Sequence, residues 1–419
     1  MRARGLEDFL GNRHLLQAQC LRRTAFSTGC QAIGRVSDSS SQIAIRCLID
    51  SLEAGGAERV CLHLCNGWTG HGLSVELLLV RAAGPYLKEL DGRVSMRDFR
   101  AARARKALWP AIRYLRGSSD APLLIFGFHL AVGILAAKKL GLVPGPVIYR
   151  EASSPRANIN RSMHWAYRFL VGRANRVIAQ NRQAHDELAS LGVPSNRITI
   201  IPNPCPSLTL PPIANAQPTP RDGTLFLSVG RLAPEKGFDR LIRAFPVYLR
   251  SHPNARLAIL GEGTERARLA SLIQDLGLRE SVNLVGFVQD LVPWYEKTGL
   301  FVLPSRYEGQ PNVLMEAIAH CCPVLCAAGK GGIIEVMDAC GLADCVVPED
   351  SFEQSFAERV RYVLAKDSAA WRNARARLAE LAHPDKVLAR YLDACGVPAA
   401  ASFGATVRSQ PGAAATERG

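Results

Sequence analysis

Two glutamates, Glu308 and Glu316, stand with seven residues between them in a segment whose pattern changes from strand to helix. The apolar run Leu300–Leu303 predicts a buried strand, and helical spacing begins at about Asn312 after a turn that contains Gly and Pro. The unpaired N–H groups at a helix N-terminus attract anions, whereas ionised carboxylates accept hydrogen bonds from hydroxyls. A ligand that carries both phosphates and hydroxyls, such as a nucleotide sugar, accounts for both features.

Two basic residues, Arg231 and Lys236, lie in a loop bounded by Gly230 and Gly237, directly after a predicted strand. Arginine offers a planar fork of donors and lysine a movable point charge, and both bind phosphate. Basic residues in a loop are often only solvated. The flanking glycines and the helix N-terminus near Asn312 favour a clamp on a diphosphate instead.

Other candidates also follow predicted strands, where the ligand crevice of a doubly wound sheet lies. They are His129, the pair Arg150–Glu151, and the glycine-bearing turns Gly55–Gly56, Gly261–Gly263 and Gly329–Gly332. The glycine turns allow a phosphate or sugar to approach the backbone closely, but they also suit tight packing of strand on helix. A histidine in such a place is as often a packed or capping residue as a catalytic one.

Alternation of strand and helix patterns runs through the whole chain and predicts an α/β fold with two parallel sheets. The predicted strands are Ile43–Ile49, Ser74–Val80, Leu123–Phe126, Val147–Tyr149, Arg176–Ala179 and Ile198–Ile201 in the first half, and Leu225–Val229, Arg256–Leu260, Asn283–Val285, Leu300–Leu303, Val324–Cys326 and Cys345–Val347 in the second. A proline-rich segment separates the halves. We expect a ligand cleft between two Rossmann-like domains.

The predicted boundaries follow from these patterns and from changes in composition. They are a disordered tail at 1–42, a first domain at 43–204, a linker at 205–222, a second domain at 223–383, a C-terminal helix at 384–396 that crosses back to the first domain, and a disordered tail at 397–419. A chain of 419 residues is long enough for two such cores.

Composition excludes several classes of protein. The 12 cysteines include no C-x-x-C pair, which favours buried free thiols in a reducing compartment over disulfides or a metal site. No run of residues is apolar and long enough for a membrane span, and the N-terminus lacks the apolar core of a secretory signal. These features predict a cytoplasmic protein.

The net charge of +14 predicts an anionic neighbour, either nucleic acid or a membrane surface. Seven Arg and Lys residues lie in Arg97–Arg116, together with an apolar side that includes Trp109. A basic amphipathic helix of this kind suits the inner face of an anionic membrane, and a solvated helix with inward aromatics is an equally good interpretation. No nucleic-acid reader motif accompanies the charge, so we expect no nucleic-acid partner.

Five sequence blocks, in order, carry a resemblance to a known family: GRLAPEKGFDRLI, LGEGTERARL, VNLVGFVQD, SRYEGQPNVLMEAIA and GKGGIIEVM. Together with GGAER and RITIIPNPC in the first half, they resemble the retaining glycosyltransferases of family 4. The resemblance extends from about Ile43 to Cys395 and implies the GT-B fold, two Rossmann-like domains facing across a cleft. It also implies a nucleotide-sugar donor.

The resemblance further implies roles for individual residues. Arg231 and Lys236 match the basic pair at the donor diphosphate, Glu308 the glutamate at the donor sugar, and Glu316 the glutamate at the ribose. Other matching positions are Gly55, Gly56 and Gly230 near the diphosphate, Gly309, Gln310, Pro311, Asn312 and Val313 in the donor loop, Val288 and Asp290 near the base, and His129 as an acceptor-side catalytic histidine.

Three departures from the family pattern stand out. Gln310 replaces a common Phe, and Cys321–Cys322 replaces a Cys-Gly pair, which leaves a non-glycine residue where Gly commonly forms a left-handed helix cap. No Asp-x-Asp motif is present in the sequence. We therefore expect no metal or other cofactor, with Arg231 and Lys236 supplying the positive charge.

The predicted function is transfer of a sugar, with retention, from a UDP-sugar or GDP-sugar to a hydroxyl of a glycan or lipid-linked acceptor. The blocks are similar to those of bacterial enzymes of surface-polysaccharide synthesis that use UDP-sugars. Alternatives are a sugar-nucleotide epimerase of the same architecture and a nicotinamide-dependent oxidoreductase. The oxidoreductase is disfavoured because neither half carries G-x-G-x-x-G followed by an acid.

Overall fold

The structure is a computed structural model that describes residues 42–53, 55–152, 155, 163–210 and 222–398. The predicted tails, apart from Gln42, Val397 and Pro398, lie outside the described residues. No helix in the described part of the chain is long and apolar enough to span a bilayer.

The first half of the chain forms a parallel sheet of seven strands in the order β3-β2-β1-β4-β5-β6-β7. The strands are β1 Ile45–Ile49, β2 Val75–Leu79, β3 Ser95–Asp98, β4 Leu123–Phe126, β5 Val147–Arg150, β6 Arg176–Ala179 and β7 Ile198–Ile200. The intervening helices are α1 Gly56–Gly70, α2 Ala104–Arg116, α3 Phe128–Lys139, α4 His164–Phe169 and α5 Arg182–Ser190. Strands this apolar are typical of parallel sheets with both faces covered.

The second half forms a parallel sheet of six strands in the order β10-β9-β8-β11-β13-β15, with a separate two-stranded sheet, β12-β14. Its strands are β8 Asp222–Val229, β9 Arg256–Leu260, β10 Val282–Gly286, β11 Thr298–Leu303, β12 Tyr307–Glu308, β13 Val324–Ala327, β14 Lys330–Gly331 and β15 Val346–Val347. Its helices are α6 Phe238–Leu249, α7 Arg266–Asp275, α8 Val292–Lys297, α9 Asn312–Ala319, α10 Ile333–Ala339, α11 Phe352–Leu364 and α12 Ser368–Ala382.

The last helix, α13 (Pro384–Cys395), packs on the first sheet and not on the second. Its Leu388 and Tyr391 join the core that Cys47 and Leu77 form on one face of that sheet, whereas α2 to α5 cover the other face. The indole N–H of fully buried Trp68 donates to the carbonyl of Leu388 at 3.2 Å. Burial of side chains of this size contributes about 1.5–3 kcal/mol each.

The charge pattern of Arg97–Arg116 predicts a single basic helix, and this prediction is wrong. Arg97 lies in β3, an edge strand with mostly exposed side chains, and helix α2 begins only at Ala104. The apolar face of α2 packs inward through residues such as Leu115, while Trp109 points outward with 68% of its surface exposed. The edge strand escaped detection because it carries no buried apolar run.

The predicted linker 205–222 is folded at both of its ends. Cys205 is buried, and its N–H donates to the carbonyl of Ala382 at the end of α12. Pro206–Thr209 forms a 3-10 turn, and Asp222 already belongs to β8. Residues 211–221 lie outside the described residues.

The turn after α9 also differs from expectation in detail. The residue with left-handed backbone is Cys321, with φ of 53°, and not the following cysteine. Cys322 is fully buried, and its thiol donates to the carbonyl of Tyr295 at 3.0 Å. A non-glycine residue therefore holds the left-handed position, at a cost of about 1 kcal/mol or more.

Candidate active site

The loop between β8 and α6 presents the two predicted cations. The Arg231 side chain is 72% exposed and, among the described residues, donates only to nearby Glu235, at 2.8 Å, so its guanidinium is accessible to a ligand. The Lys236 side chain is largely buried, and its ammonium donates to both carboxylate oxygens of Glu308, at 2.7 and 2.8 Å. Both cations lie at the carboxyl end of a parallel strand, where ligand crevices form.

Glu308 is held in place by more than its cation. It ends the short strand β12, is only 8% exposed, and accepts a hydrogen bond from the Ser305 hydroxyl at 2.7 Å. A carboxylate this buried needs a partner, and Lys236 supplies the compensating charge. The lysine and the glutamate therefore form one unit at the edge of the second domain.

Two helix N-termini converge from opposite domains. Helix α9 begins at Asn312 and helix α1 begins at Gly56. A Cβ added to Gly56 would lie only 3.8 Å from Nδ2 of Asn312, so the two helix starts approach each other. A helix N-terminus carries a partial positive charge, and together the two form a place suited to an anion.

Glu316 lies one turn further along α9, and a cation also balances its charge. It is 4% exposed, its Oε1 is 3.0 Å from Nη1 of Arg59, and its Oε2 accepts from the Tyr295 hydroxyl at 3.1 Å. Burial raises the pKa of Glu316, while Arg59 and Tyr295 lower it. Arg59 lies in the first domain, so this ion pair crosses the cleft.

The loop from Gly309 to Val313 is hydrogen-bonded to the domain junction. The N–H of Asn203 donates to the side-chain oxygen of Gln310 at 2.6 Å, and its side-chain amide donates to Oδ1 of Asn312 at 2.8 Å. The side-chain amide of Asn181, the N-cap of α5, also donates to the carbonyl of Gly309. Gln310, which departs from the family pattern, thus binds the first domain.

Glycine turns support this loop by close backbone packing. A Cβ added to Gly331, where φ is 98°, would lie 1.7 Å from the carbonyl oxygen of Glu308, and one added to Gly329 would lie 2.2 Å from that of Ser305. In the same way, Gly261 packs against the carbonyl of Gly230. These glycines therefore allow tight backbone packing, one of the two roles expected for them.

Two family models match this chain. The model described as Glycosyltransferase Family 4 matches residues 54–206, and the model described as Glycosyl transferases group 1 matches residues 212–383. The chain belongs to the group 1, family 4 glycosyltransferases. The predicted enzyme class, EC 2.4, is confirmed.

Relatives and solved structures agree with the family. The chain is 26% identical over 343 residues to the amylovoran biosynthesis glycosyltransferase AmsD of Erwinia amylovora, which covers 78% of this chain and 93% of the relative. It is 26% identical over 322 residues to the lipopolysaccharide core biosynthesis glycosyltransferase LpsE of Rhizobium meliloti, which covers 73% and 89%. The structure of Anabaena HepE in complex with UDP-glucose matches with a TM-score of 0.69 at 18% identity, over 83% of this chain and 99% of that one. The predicted GT-B fold is confirmed.

Sequence reasoning on this glycosyltransferase missed Arg59 as a partner of Glu316. The signal was present, because Arg59 closes the GGAER block that resembles the family turn. Its position, one turn into α1, places a cation opposite the middle of α9. No local pattern predicts an ion pair between opposite halves of a chain.

The remaining predicted residues of the glycosyltransferase lie at the edges of this arrangement. His129 is the second residue of α3 and is exposed. Burial raises the pKa of Asp50, and the nearby His129 lowers it. Val288 is half-buried, and exposed Asp290 accepts from the N–H of Val292 at 3.1 Å. Their roles at the acceptor and at the base stay predictions.

Arg150 and Glu151, at the carboxyl end of β5, are buried beneath the cleft. Glu151 is 4% exposed and accepts from the hydroxyls of Tyr149 and Tyr167 at 2.9 and 2.8 Å. Arg150 is 1% exposed and donates to Asn203. Neither residue is a surface ligand group; both belong to networks that support the crevice.

The described residues of the glycosyltransferase also contain a cluster of thiols. The sulfur atoms of Cys47, Cys61 and Cys65 lie within 4.8 Å of one another in the buried core between β1 and α1. As predicted, these cysteines are buried free thiols. Sequence reasoning did not group them, because strand and helix bring them together only in the folded domain.

Proposed function

We propose that this enzyme transfers a sugar, with retention of anomeric configuration, from a UDP-sugar to a hydroxyl of a glycan or lipid-linked acceptor in the synthesis of a surface polysaccharide. The observation that carries the proposal is the meeting of the N-termini of α1 and α9 across the cleft, marked by Gly56 and Asn312. Arg231 and Lys236 lie at a strand end of the second domain, the domain that holds α9. This arrangement suits a diphosphate.

The diphosphate is the leaving group in this proposal. As the bond from the anomeric carbon to the phosphate oxygen breaks, positive charge develops on the sugar ring and negative charge on the departing phosphate. Donors fixed before the reaction stabilise such charge without reorganisation. Arg231 and Lys236 supply such donors, and the partial positive charge at the N-terminus of α9 adds to them. The acceptor hydroxyl attacks the face that the leaving group vacates, so the configuration is retained.

The two glutamates bind hydroxyls in this proposal. Ionised carboxylates accept hydrogen bonds and cannot donate them, so they suit sugar and ribose hydroxyls and not phosphate oxygens. Glu308 lies at the entrance of α9 and is assigned to the donor sugar, and Glu316, one turn deeper, to the ribose. His129 is assigned to the acceptor side of the cleft, where α3 begins.

Relatives support the choice of donor and acceptor. The solved structure of HepE contains UDP-glucose, which favours uridine over guanosine here. AmsD and LpsE are named for amylovoran and lipopolysaccharide core biosynthesis, which supports a polysaccharide acceptor. Neither the epimerase nor the oxidoreductase alternative is favoured by any of these relatives.

The proposed location of the enzyme is the cytoplasmic face of the cell membrane. Helix α2 is basic and exposes Trp109, and helix α4 exposes Trp165 and Phe169. Exposed aromatic residues with arginines suit the headgroup region of an anionic bilayer. A peripheral enzyme there meets a lipid-linked acceptor without a membrane span.

A panel of donors tests the proposed function. The protein is incubated with UDP-glucose, UDP-galactose, UDP-N-acetylglucosamine or GDP-mannose, together with lipid-linked glycan acceptors, and nucleotide release is followed with and without EDTA. We expect release of UDP, an α-linked product by NMR from an α-linked donor, and no effect of EDTA. Release of GDP alone, an inverted linkage, or a reaction that interconverts sugars without releasing nucleotide would contradict the proposal.

Matched variants connect the reaction to the site. Arg231→Ala removes an exposed cation beside the proposed diphosphate, and Arg250→Ala removes an exposed cation at the far end of α6. The first variant is expected to slow turnover about a hundredfold or more, since donors aimed at developing charge contribute about that much, and the second to leave it unchanged. Equal activity of both variants would contradict the assignment of the site.

A further inference from the structure

Arg150 is a buried cation whose hydrogen-bond partners among the described residues are neutral. It is 1% exposed, its Nε donates to the Tyr391 hydroxyl at 2.9 Å, and its Nη2 donates to Oδ1 of Asn203 at 2.6 Å. The guanidinium also lies 5.5 Å from the centre of the Phe126 ring. Burial raises the pKa of Glu58 and the charge of Arg150 lowers it, but no carboxylate lies at ion-pair distance from Arg150 in the described part of the chain. Its Nη1 has no hydrogen-bond acceptor there. Burying a cation in this way is costly, so a compensating role is expected.

The chemistry of arginine fixes the direction of the hydrogen bonds that follow. A guanidinium has five donors and no acceptor, so the Asn203 atom that it contacts must be the carbonyl oxygen. The other end of that side chain is therefore the NH2 group, and it donates to Oδ1 of Asn312 at 2.8 Å. The two ends of an amide are otherwise hard to distinguish, but a donor-only neighbour settles the assignment.

The same reasoning determines the orientation of the Asn312 side-chain amide. Because its oxygen faces Asn203, its own NH2 group is turned away from the junction and towards the N-terminus of α1. A Cβ added to Gly56 would lie 3.8 Å from that nitrogen. The N–H groups of Asn312 thus face the space between the two helix N-termini.

We propose that Arg150 and Asn203 are positioning residues that set the direction of the Asn312 amide, so that it presents N–H donors and not its carbonyl oxygen to the donor diphosphate. This inference rests on the proposed function, because the diphosphate is its ligand. A neutral group in place of Arg150 could accept as well as donate, and would leave both amides free to reverse. Only a group that never accepts a hydrogen bond fixes the orientation of both side-chain amides.

The hydrogen-bonded series Arg150–Asn203–Asn312, called the relay below, also crosses the cleft. Arg150 belongs to β5 of the first domain, Asn203 to the junction and Asn312 to α9 of the second. The backbone N–H of Asn203 is bound by Gln310 at 2.6 Å, which holds the middle residue against the donor loop. The correct direction of the Asn312 amide is therefore linked to contact between the domains.

The test is Asn203→Asp, a nearly isosteric change that separates stability from binding. The new carboxylate pairs with the Arg150 cation, so the protein is expected to be at least as stable as the wild type in thermal unfolding. The carboxylate cannot donate, so Asn312 must reverse to donate to it and then turns its carbonyl oxygen towards the phosphates. We expect UDP affinity, measured by calorimetry, to fall about tenfold to a hundredfold, the range for a charged hydrogen bond.

Three further variants distinguish the proposed orientation of Asn312 from a simple effect of charge. Asn312→Ala removes the end of the relay and is expected to weaken UDP binding to a similar extent. Adding Asn203→Asp to Asn312→Ala should then weaken UDP binding little further, since both act through one side chain. Asn196→Asp adds the same charge at an exposed position of the first domain and should leave affinity unchanged.

The outcomes separate this inference from the proposed function. If Asn312→Ala weakens UDP binding but Asn203→Asp does not, the relay is wrong and the donor site stands. Additive losses in the double variant would mean that the aspartate acts by repulsion, which also overturns the relay. If Asn312→Ala leaves UDP binding unchanged, both the relay and the assignment of the diphosphate to this cleft are wrong.

Discussion

Replacement of Arg59 by methionine should produce a loss of stability that grows with pH. Arg59 lies 3.0 Å from Glu316, whose side chain is 5% exposed. Removing one partner of a fully buried ion pair costs about 3–5 kcal/mol. Because the Arg59 side chain is 33% exposed, solvent screens the pair, and we expect the lower value of about 2–3 kcal/mol at pH 8.

The sign of the pH dependence follows from the pKa of Glu316. Burial already raises this pKa, and Arg59 lowers it. Without Arg59 the folded pKa rises further above the unfolded value, so the folded variant retains a proton that the unfolded chain loses. Its stability is then present at acidic pH and is lost as the pH rises towards the folded pKa, by about 1.4 kcal/mol per pH unit within that interval.

Urea unfolding at pH 5, 6.5 and 8 measures this effect. Burial and Arg59 together lower the pKa of His63 to about 4. Removing Arg59 relieves part of this effect at acidic pH, so His63 also makes the loss of stability smaller at pH 5 than at pH 8. The pair Arg59→Met and Arg59→Met/Glu316→Gln isolates the carboxylate, since glutamine does not titrate. The difference between these two variants should be small at pH 5 and large at pH 8. A difference that is constant across this range would refute the reasoning.

Three other outcomes follow from the structure. Lys236→Ala leaves a buried glutamate without its cation and removes a donor to the leaving group, so steady-state turnover should fall about a hundredfold or more, while Arg250→Ala serves as its unchanged control. Trp109→Ala should weaken sedimentation with vesicles of anionic lipid without changing turnover of a soluble acceptor, and binding that is insensitive to both the substitution and added salt would contradict a membrane role. Gly331→Ala should lower the melting temperature far more than Gly277→Ala. Both glycines have positive φ, but only a Cβ at Gly331 would meet the backbone, 1.7 Å from a carbonyl oxygen. Equal decreases in melting temperature would argue against that contact.

Local sequence patterns predicted most of the fold because most strands are buried on both faces. Apolar runs such as Leu123–Phe126 and Arg256–Leu260 coincide with β4 and β9, and the start of α9 at Asn312 was also predicted. The edge strand β3 was missed, since its exposed side chains leave no apolar signal. The two-residue strands β12 and β14 are too short for any periodicity.

The candidate site was predicted less completely, for a physical reason. Arg231, Lys236 and Glu308 could be found because each follows a strand or a glycine turn. Their pairing could not, since the distance between an ammonium and a carboxylate depends on how separate loops pack. Arg59 and Asn203 were missed as site residues because their partners lie in the other half of the chain, and no local spacing records that contact.

The paired cations explain how two acids can lie beside a site for an anion. Glu308 shares its charge with Lys236 in the second domain, and Glu316 shares its charge with Arg59 from the first. Each carboxylate is thus balanced by one cation, and the exposed guanidinium of Arg231 and the two helix N-termini remain to attract the proposed diphosphate. Because the balancing charge at Glu316 comes from the other domain, the charges of the proposed donor site are complete only when the domains are in contact.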